Sequence, residues 1–175
     1  MNRSFSLLLA ALLFFAPVAY ADEQLQLDQQ QFVACEYCGM HRIKFGHSRM
    51  LIRYKNASPV ATCSLHCAAI ELALGIDKDP VKIEVADYYS KKLIDAETAF
   101  WALGGEKPGV MTTRGKWAFV DKASADKFVT ENGGIILDFD HVMKAAYEDM
   151  YIDTLMIRKK RKMKRMKMQQ KEKSE

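Results

Sequence analysis

The stretch RMLIRYKNASPVATCSLHCAAIELALGIDKDPVKIEV, Arg49 to Val85, decides the fold. Arg49 to Tyr54 and Pro59 to Thr62 read as two strands joined by the turn-forming Lys55-Asn56-Ala57-Ser58. Ser64 sits where an N-cap belongs. The helix it opens places Leu65, Ala68, Ala69, Leu72 and Ala73 on apolar positions and stops at Gly75. Val81 to Val85 alternates apolar and polar residues, the pattern of a half-buried strand. The order is β-β-α-β.

Downstream the order recurs. Leu93 to Phe100 fits a strand or a short helix equally, Lys116 to Val120 is a strand, and a helix from Lys122 ends at Asn132-Gly133-Gly134. Ile135 to Phe139 is a further strand. A final helix from about His141 to Arg158 sets Val142, Ala145, Ala146, Asp149 and Ile152 near one face. The expected class is α+β: two packed β-β-α-β units, about 35–90 and 91–140, followed by a helix to residue 157 and a basic tail.

Upstream, Arg3, the apolar Leu7 to Phe15 and Ala19-Tyr20-Ala21 match the three parts of a secretory signal peptide over residues 1–21. The first cysteine is Cys35, and no lipobox precedes it. The expected location is the periplasm or the medium, with a flexible, Gln-rich leader over 22–34. Residues 158–175 carry ten Lys or Arg and two Glu, so the basic pI belongs to the tail and the body is mildly acidic. That distribution excludes a folded nucleic-acid-binding face. Like-charge repulsion predicts a disordered tail, with contact to an anionic membrane as an alternative use.

The chain has four cysteines, in two pairs: Cys35-Glu36-Tyr37-Cys38-Gly39-Met40 and Cys63-Ser64-Leu65-His66-Cys67. Three chemistries fit. Thiolate, thioether and imidazole suit Cu(I), and Cys35, Cys38 and Met40 lie beside His41. A closed all-thiolate site would take Zn²⁺ on all four cysteines. A dithiol redox pair, or two disulfides, completes the set. Cys63 and Cys67 are four apart at the start of a helix, facing one way, with His66 between them. Met50, Met143, Met150 and Met156 read as core fillers. Met111 lies in a loop without periodicity. His47 and His141 stand alone and Asp77, Asp79, Asp138 and Asp140 read as caps or strand ends, so no catalytic constellation competes and an enzyme is not expected.

CEYCGM (35–40) together with GVMTTRGKWAFVDKASADKFVTENGG (109–134) resembles the nitrous oxide reductase accessory protein family, NosL. The resemblance covers roughly Cys35 to Phe139 and implies a pair of β-β-α-β units. It also implies a periplasmic Cu(I)-binding metallochaperone, with copper delivered to a client, nitrous oxide reductase or its maturation machinery. On this chain the matching copper positions are Cys35, Cys38, Met40 and Met111, while Trp117 and Phe119 pack the second sheet. Two features depart from the family: no lipidated cysteine, and a CSLHC pair outside its core pattern. CxxCGM followed by CSLHC also resembles treble-clef-like heavy-metal modules of the TRASH type, which implies a zinc-binding interaction module as the alternative. Cys63 and Cys67, with His66 and His41, are therefore added ligands, a second site or a disulfide.

Overall fold

Arg49 to Val85 folds as its periodicity indicates. The computed structural model of the chain describes residues 26–174; the expected signal peptide and the start of the leader lie outside the described residues. Strand β1 (Met50–Tyr54) is the centre of the first sheet. It pairs antiparallel with β2 (Val60–Thr62) through Met50 opposite Thr62, and with β3 (Pro80–Ala86) through Met50 opposite Val85. Between β2 and β3 runs helix α2 (Leu65–Leu74). Ser64 holds the N-cap position in extended conformation, but its hydroxyl makes no cap bond. The alternation in VKIEV does not track burial. Val81 is exposed, while Glu84 is buried beneath Arg53 and Lys82, which pair with it at 2.8 and 2.9 Å.

The ambiguous stretch 93–100 resolves into pieces of two sheets. Strand β4 (Leu93–Asp95) adds to the first sheet, giving β2-β1-β3-β4, whereas β5 (Phe100–Leu103) opens the second. The unit boundary therefore falls at the turn between Asp95 and Phe100 rather than at residue 90. Asp95 itself makes that turn, its carboxylate accepting from the N–H groups of Glu97 and Thr98. The second unit follows as β6 (Lys116–Phe119), α3 (Lys122–Asn132) and β7 (Ile135–Leu137), in strand order β6-β5-β7. In each unit the first strand lies between the second and third, and the expected α+β pair of units is what the chain forms. Asp121 caps α3 by accepting from the Ser124 N–H.

The sheets meet where Asp87, just past the end of β3, reaches the edge strand of the second sheet. Its backbone bridges to Ala118, the Tyr88 N–H donates to the Ala118 carbonyl at 2.8 Å, and its carboxylate accepts from the Val120 N–H at 3.0 Å. One core lies between the first sheet, α2 and helix α4 (Phe139–Glu172), built on Met50, Ile52, Leu65, Val85, Trp101 and Val142. A second core holds Trp117, Phe119 and Phe128, and it also encloses Cys35, Cys63 and Cys67.

Two expectations at the chain's ends are corrected. The leader is not flexible from Leu27 onward: residues Leu27–Gln31 form helix α1 because Asp28 is buried between two buried arginines. The Asp28 carboxylate accepts from Arg42 at 2.8 Å and from Arg49 at 2.8 and 2.9 Å. Burial alone would raise the Asp28 pKa, but the hydrogen bonds and charges of Arg49 and Arg42 outweigh it and hold the carboxyl below the usual range. The tail is not disordered either, since α4 continues from Phe139 to Glu172. Lys, Arg, Met, Gln and Glu all favour helix, and a helix already docked through Val142 and Ala146 extends without a new nucleation step. On its buried face Asp153 replaces the expected Ile152, which is exposed.

Asp28→Ala should leave two buried guanidinium groups without a counter-charge and destabilise the fold by about 3–5 kcal/mol in equilibrium urea unfolding. The wild-type contribution is present above the unfolded carboxyl pKa of about 3.9 and disappears as pH falls through the lower folded value. Acid titration should therefore narrow the gap between wild type and Asp28→Ala below about pH 4.

Candidate metal centre

Each cysteine pair has its own scaffold. Residues 35–40 form a reverse turn in which the Cys35 N–H donates to the Met40 carbonyl and the Gly39 N–H to the Cys35 carbonyl, both at 2.9 Å. Gly39 takes φ +71°, a left-handed angle that only glycine adopts without strain. The same turn aims the backbone N–H of Cys38 at the Cys35 sulfur and that of Met40 at the Cys38 sulfur. Cys63 ends the β2 side of the hairpin and Cys67 lies one turn into α2.

Two buried networks bring the pairs together. Arg42, fully buried, donates to the Thr62 carbonyl at 3.1 Å, to Phe32 at 2.8 Å and to Met50 at 3.0 Å, so the segment after the first pair is bonded to the strand end before the second. Glu71 on α2 accepts from the hydroxyls of Tyr37 and Tyr54 and from Lys78, tying the CEYC turn to the helix that carries Cys67.

The result is one cluster of four sulfurs. All four Sγ atoms lie within 4.8 Å of one another, with Cys38 to Cys63 at 3.4 Å and Cys63 to Cys67 at 3.8 Å. All four are free thiols. These separations far exceed a disulfide's roughly 2.05 Å but match the edge of about 3.8 Å in a tetrahedron of thiolates around a metal at about 2.3 Å. Ionisation falls first on Cys35, whose thiolate is favoured by hydrogen bonds from Cys38, then Cys63 and Cys67, against the cost of burial. Cys63 and Cys67 are pushed up, chiefly by Cys35 and Cys38. A buried sulfur cluster that favours thiolate at Cys35 and Cys38 and disfavours it at Cys63 and Cys67 is completed by a soft cation that replaces the remaining protons.

Met111 belongs to the same neighbourhood. Cys38, the one half-buried thiol, opens with Cys67 onto a cleft of about 180 Å³ lined also by Tyr37, His66, Met111 and Arg161. Met111 takes φ +61°, which a non-glycine residue reaches only at a cost of about 1–3 kcal/mol. Its loop is tethered immediately downstream. Thr113 donates its N–H to Asp153 of α4 at 2.8 Å, and the Lys116 ammonium bonds Thr112 at 3.1 Å and Asp149 at 2.8 Å. His66 is buried, its Nδ1 3.7 Å from Asp153, with burial depressing its pKa despite that carboxylate. Met40 packs against the apolar residues around the thiols but is not on the cleft wall. His41 is exposed, in a single bridge with Ala34. Trp117 and Phe119 pack the second core.

Sequence reasoning placed the sulfurs and missed their supports. Asp28, Arg42, Arg49, Glu71, Asp149 and Asp153 are ordinary charged residues in sequence, and only pairing across long separations reveals them. A family model, NosL, matches residues 24–147 of the chain. Among solved structures, the crystal structure of the copper chaperone NosL from Shewanella denitrificans superposes with a TM-score of 0.52 at 20% identity. That match covers 67% of this chain and 94% of that one, and it bears on fold alone. No curated protein matches the chain significantly.

Partial exposure and a lowered pKa make Cys38 the reactive thiol. In metal-free reduced protein, iodoacetamide should label Cys38 before Cys35, Cys63 or Cys67, as peptide mass mapping over time would register. Prior loading with a soft metal should suppress that labelling.

Proposed function

This chain belongs to the NosL family, and we propose that it is a Cu(I)-binding metallochaperone whose cargo sits among Cys35, Cys38, Cys63 and Cys67 with Met111 at the exit. The observation that carries this reading is the convergence of four free thiols within 4.8 Å, at the wall of a cleft that Met111 also lines. Thiolate and thioether donors select soft cuprous ion over harder metals. Cys38 is the half-buried corner of the cluster and Met111 a weak, neutral donor beside it. Together they give an incoming thiolate or imidazole from a client a place to bind before the last protein sulfur leaves. Ligand exchange of this kind needs no general base and no catalytic step, so the protein is read as a carrier rather than an enzyme.

The client is a copper-accepting protein, and the family's association points to nitrous oxide reductase or its maturation machinery. Residues 1–21 support export to the periplasm and cleavage there. In this reading His66 is a further imidazole at the cleft and His41 and Met40 are not direct ligands. A second reading is favoured by one specific feature, the sulfur spacings of 3.4 and 3.8 Å, which suit tetrahedral Zn²⁺ as well as copper. The four-cysteine set would then be a structural zinc site serving protein interaction.

Anaerobic Cu(I) titration against a competing chelator separates the readings. Wild type should outcompete the chelator. Cys38→Ser, Cys63→Ser and Cys67→Ser should each weaken binding by more than the roughly 10–100-fold expected for an outer-shell partner, and Met111→Leu by less. Affinity no better than the chelator's, unchanged in all four variants, would sink the copper reading. Stoichiometric zinc in protein purified without added metal, with unfolding on chelation, would establish the second.

A further inference from the structure

The last third of α4 serves neither core. Every residue from Arg158 to Ser174 is exposed, and Arg161 ties this part of the helix to the body by donating to the Cys38 carbonyl at 3.1 Å. From Lys162 to Glu172 the helix runs on for about 16 Å.

Its two sides differ in kind. Thr154, Ile157, Arg158 and Arg161 face the thiol cleft. Tyr151, Ile152, Leu155, Met163 and Met166 fall within an arc of about 120° whose centre is turned about 130° from that of the cleft-facing set, and they are 71%, 59%, 46%, 42% and 44% exposed. Lys159 and Lys162 lie in or beside that arc, and Arg165 and Lys167 flank it, with stems long enough to carry their charges clear of an apolar layer. Residues 158–175 hold ten Lys or Arg against two Glu, whereas the rest of the described body is mildly acidic.

We propose that this outward face of α4, Tyr151 to Met166, docks on an anionic lipid surface and lies in its interface. Charge complementarity selects an anionic partner, and the apolar stripe selects lipid among anionic partners. A phosphate backbone would be satisfied by the lysines and arginines alone and would leave five large apolar side chains in water. An interface buries those side chains while anionic headgroups pair with the basic flanks. The helix lies on the bilayer rather than across it, because among the described residues no helix is long and apolar enough to span one. Docking through this side leaves the thiol cleft about 130° round the helix, turned away from the lipid and open to a client.

Vesicle flotation of the full chain tests this, with phosphatidylcholine alone against phosphatidylcholine carrying about one third phosphatidylglycerol. Binding should require the anionic lipid and weaken as salt is raised toward about 1 M. Replacing Ile152, Leu155, Met163 and Met166 together by Gln should lower the partition coefficient at least about tenfold. Lys159→Gln, Lys162→Gln, Arg165→Gln and Lys167→Gln combined should do the same. Helix content by circular dichroism and the thiol cluster's metal affinity, neither of which uses these side chains, should be unchanged in both variants. Equal binding to neutral vesicles, binding insensitive to the apolar set, or binding to duplex DNA or an acidic protein without vesicle binding would each overturn the proposal. None of these outcomes depends on which metal the thiols hold.

Discussion

A single buried carboxylate, Asp28, holds two buried guanidinium groups, and that arrangement ties the segment after the first cysteine pair to the strand end before the second. Two arginines on one loop, taken from water into an apolar interior, would repel each other and lose their hydration. Asp28 supplies the counter-charge, and backbone carbonyls of Phe32, Gly46, Met50, Thr62 and Lys91 take up the remaining donors. Satisfied in this way, Arg42 ceases to be a liability and becomes a fixed strut between the 32–49 segment and the end of β2. The CEYCGM turn is thereby set against Cys63. This is also why the segment before the first cysteine is ordered: removing α1 would strip the counter-ion from the centre of the strut.

The cluster sits at the seam between the two β-β-α-β units, enclosed by residues of the second core although all four cysteines come from the first. That placement has two electrostatic consequences. An apolar surround makes isolated negative charge costly, so the thiols share protons until a cation arrives. That surround suits a soft cation, whose charge offsets the thiolates at sulfur separations that fit a metal-thiolate set. The second unit contributes the strained Met111, delivered by a loop whose tethers run to Asp149 and Asp153 on α4. A left-handed methionine is retained against its conformational cost only where neighbours fix it, and here they do.

Helix α4 connects these parts. Its first turns fill the main core, its middle anchors the Met111 loop and walls the cleft, and its last turns carry the charge. One rigid element thus relates the thiol site to the outward basic face.

The sequence by itself determined the elements and the chemistry. Ser64 and Asp121 before helical runs, and Gly75, Gly133 and Gly134 after them, state local preferences that tertiary contacts had no reason to override. Cysteines spaced two and three residues apart declare that each pair acts together, because such neighbours cannot move far from one another. Local patterns said nothing of what happens between distant segments. The turn between Asp95 and Phe100 divides two sheets because of which edges were left to pair. Asp28 and Glu71 look like surface acids until Arg42, Arg49, Tyr37 and Tyr54 close over them. The tail looked too charged to fold, yet it inherits its first turns from a docked helix and so avoids the cost of nucleation. Tertiary structure alone decided that the two cysteine pairs form one site, because a distance of 3.4 Å across 25 residues of chain is a property of packing and not of spacing.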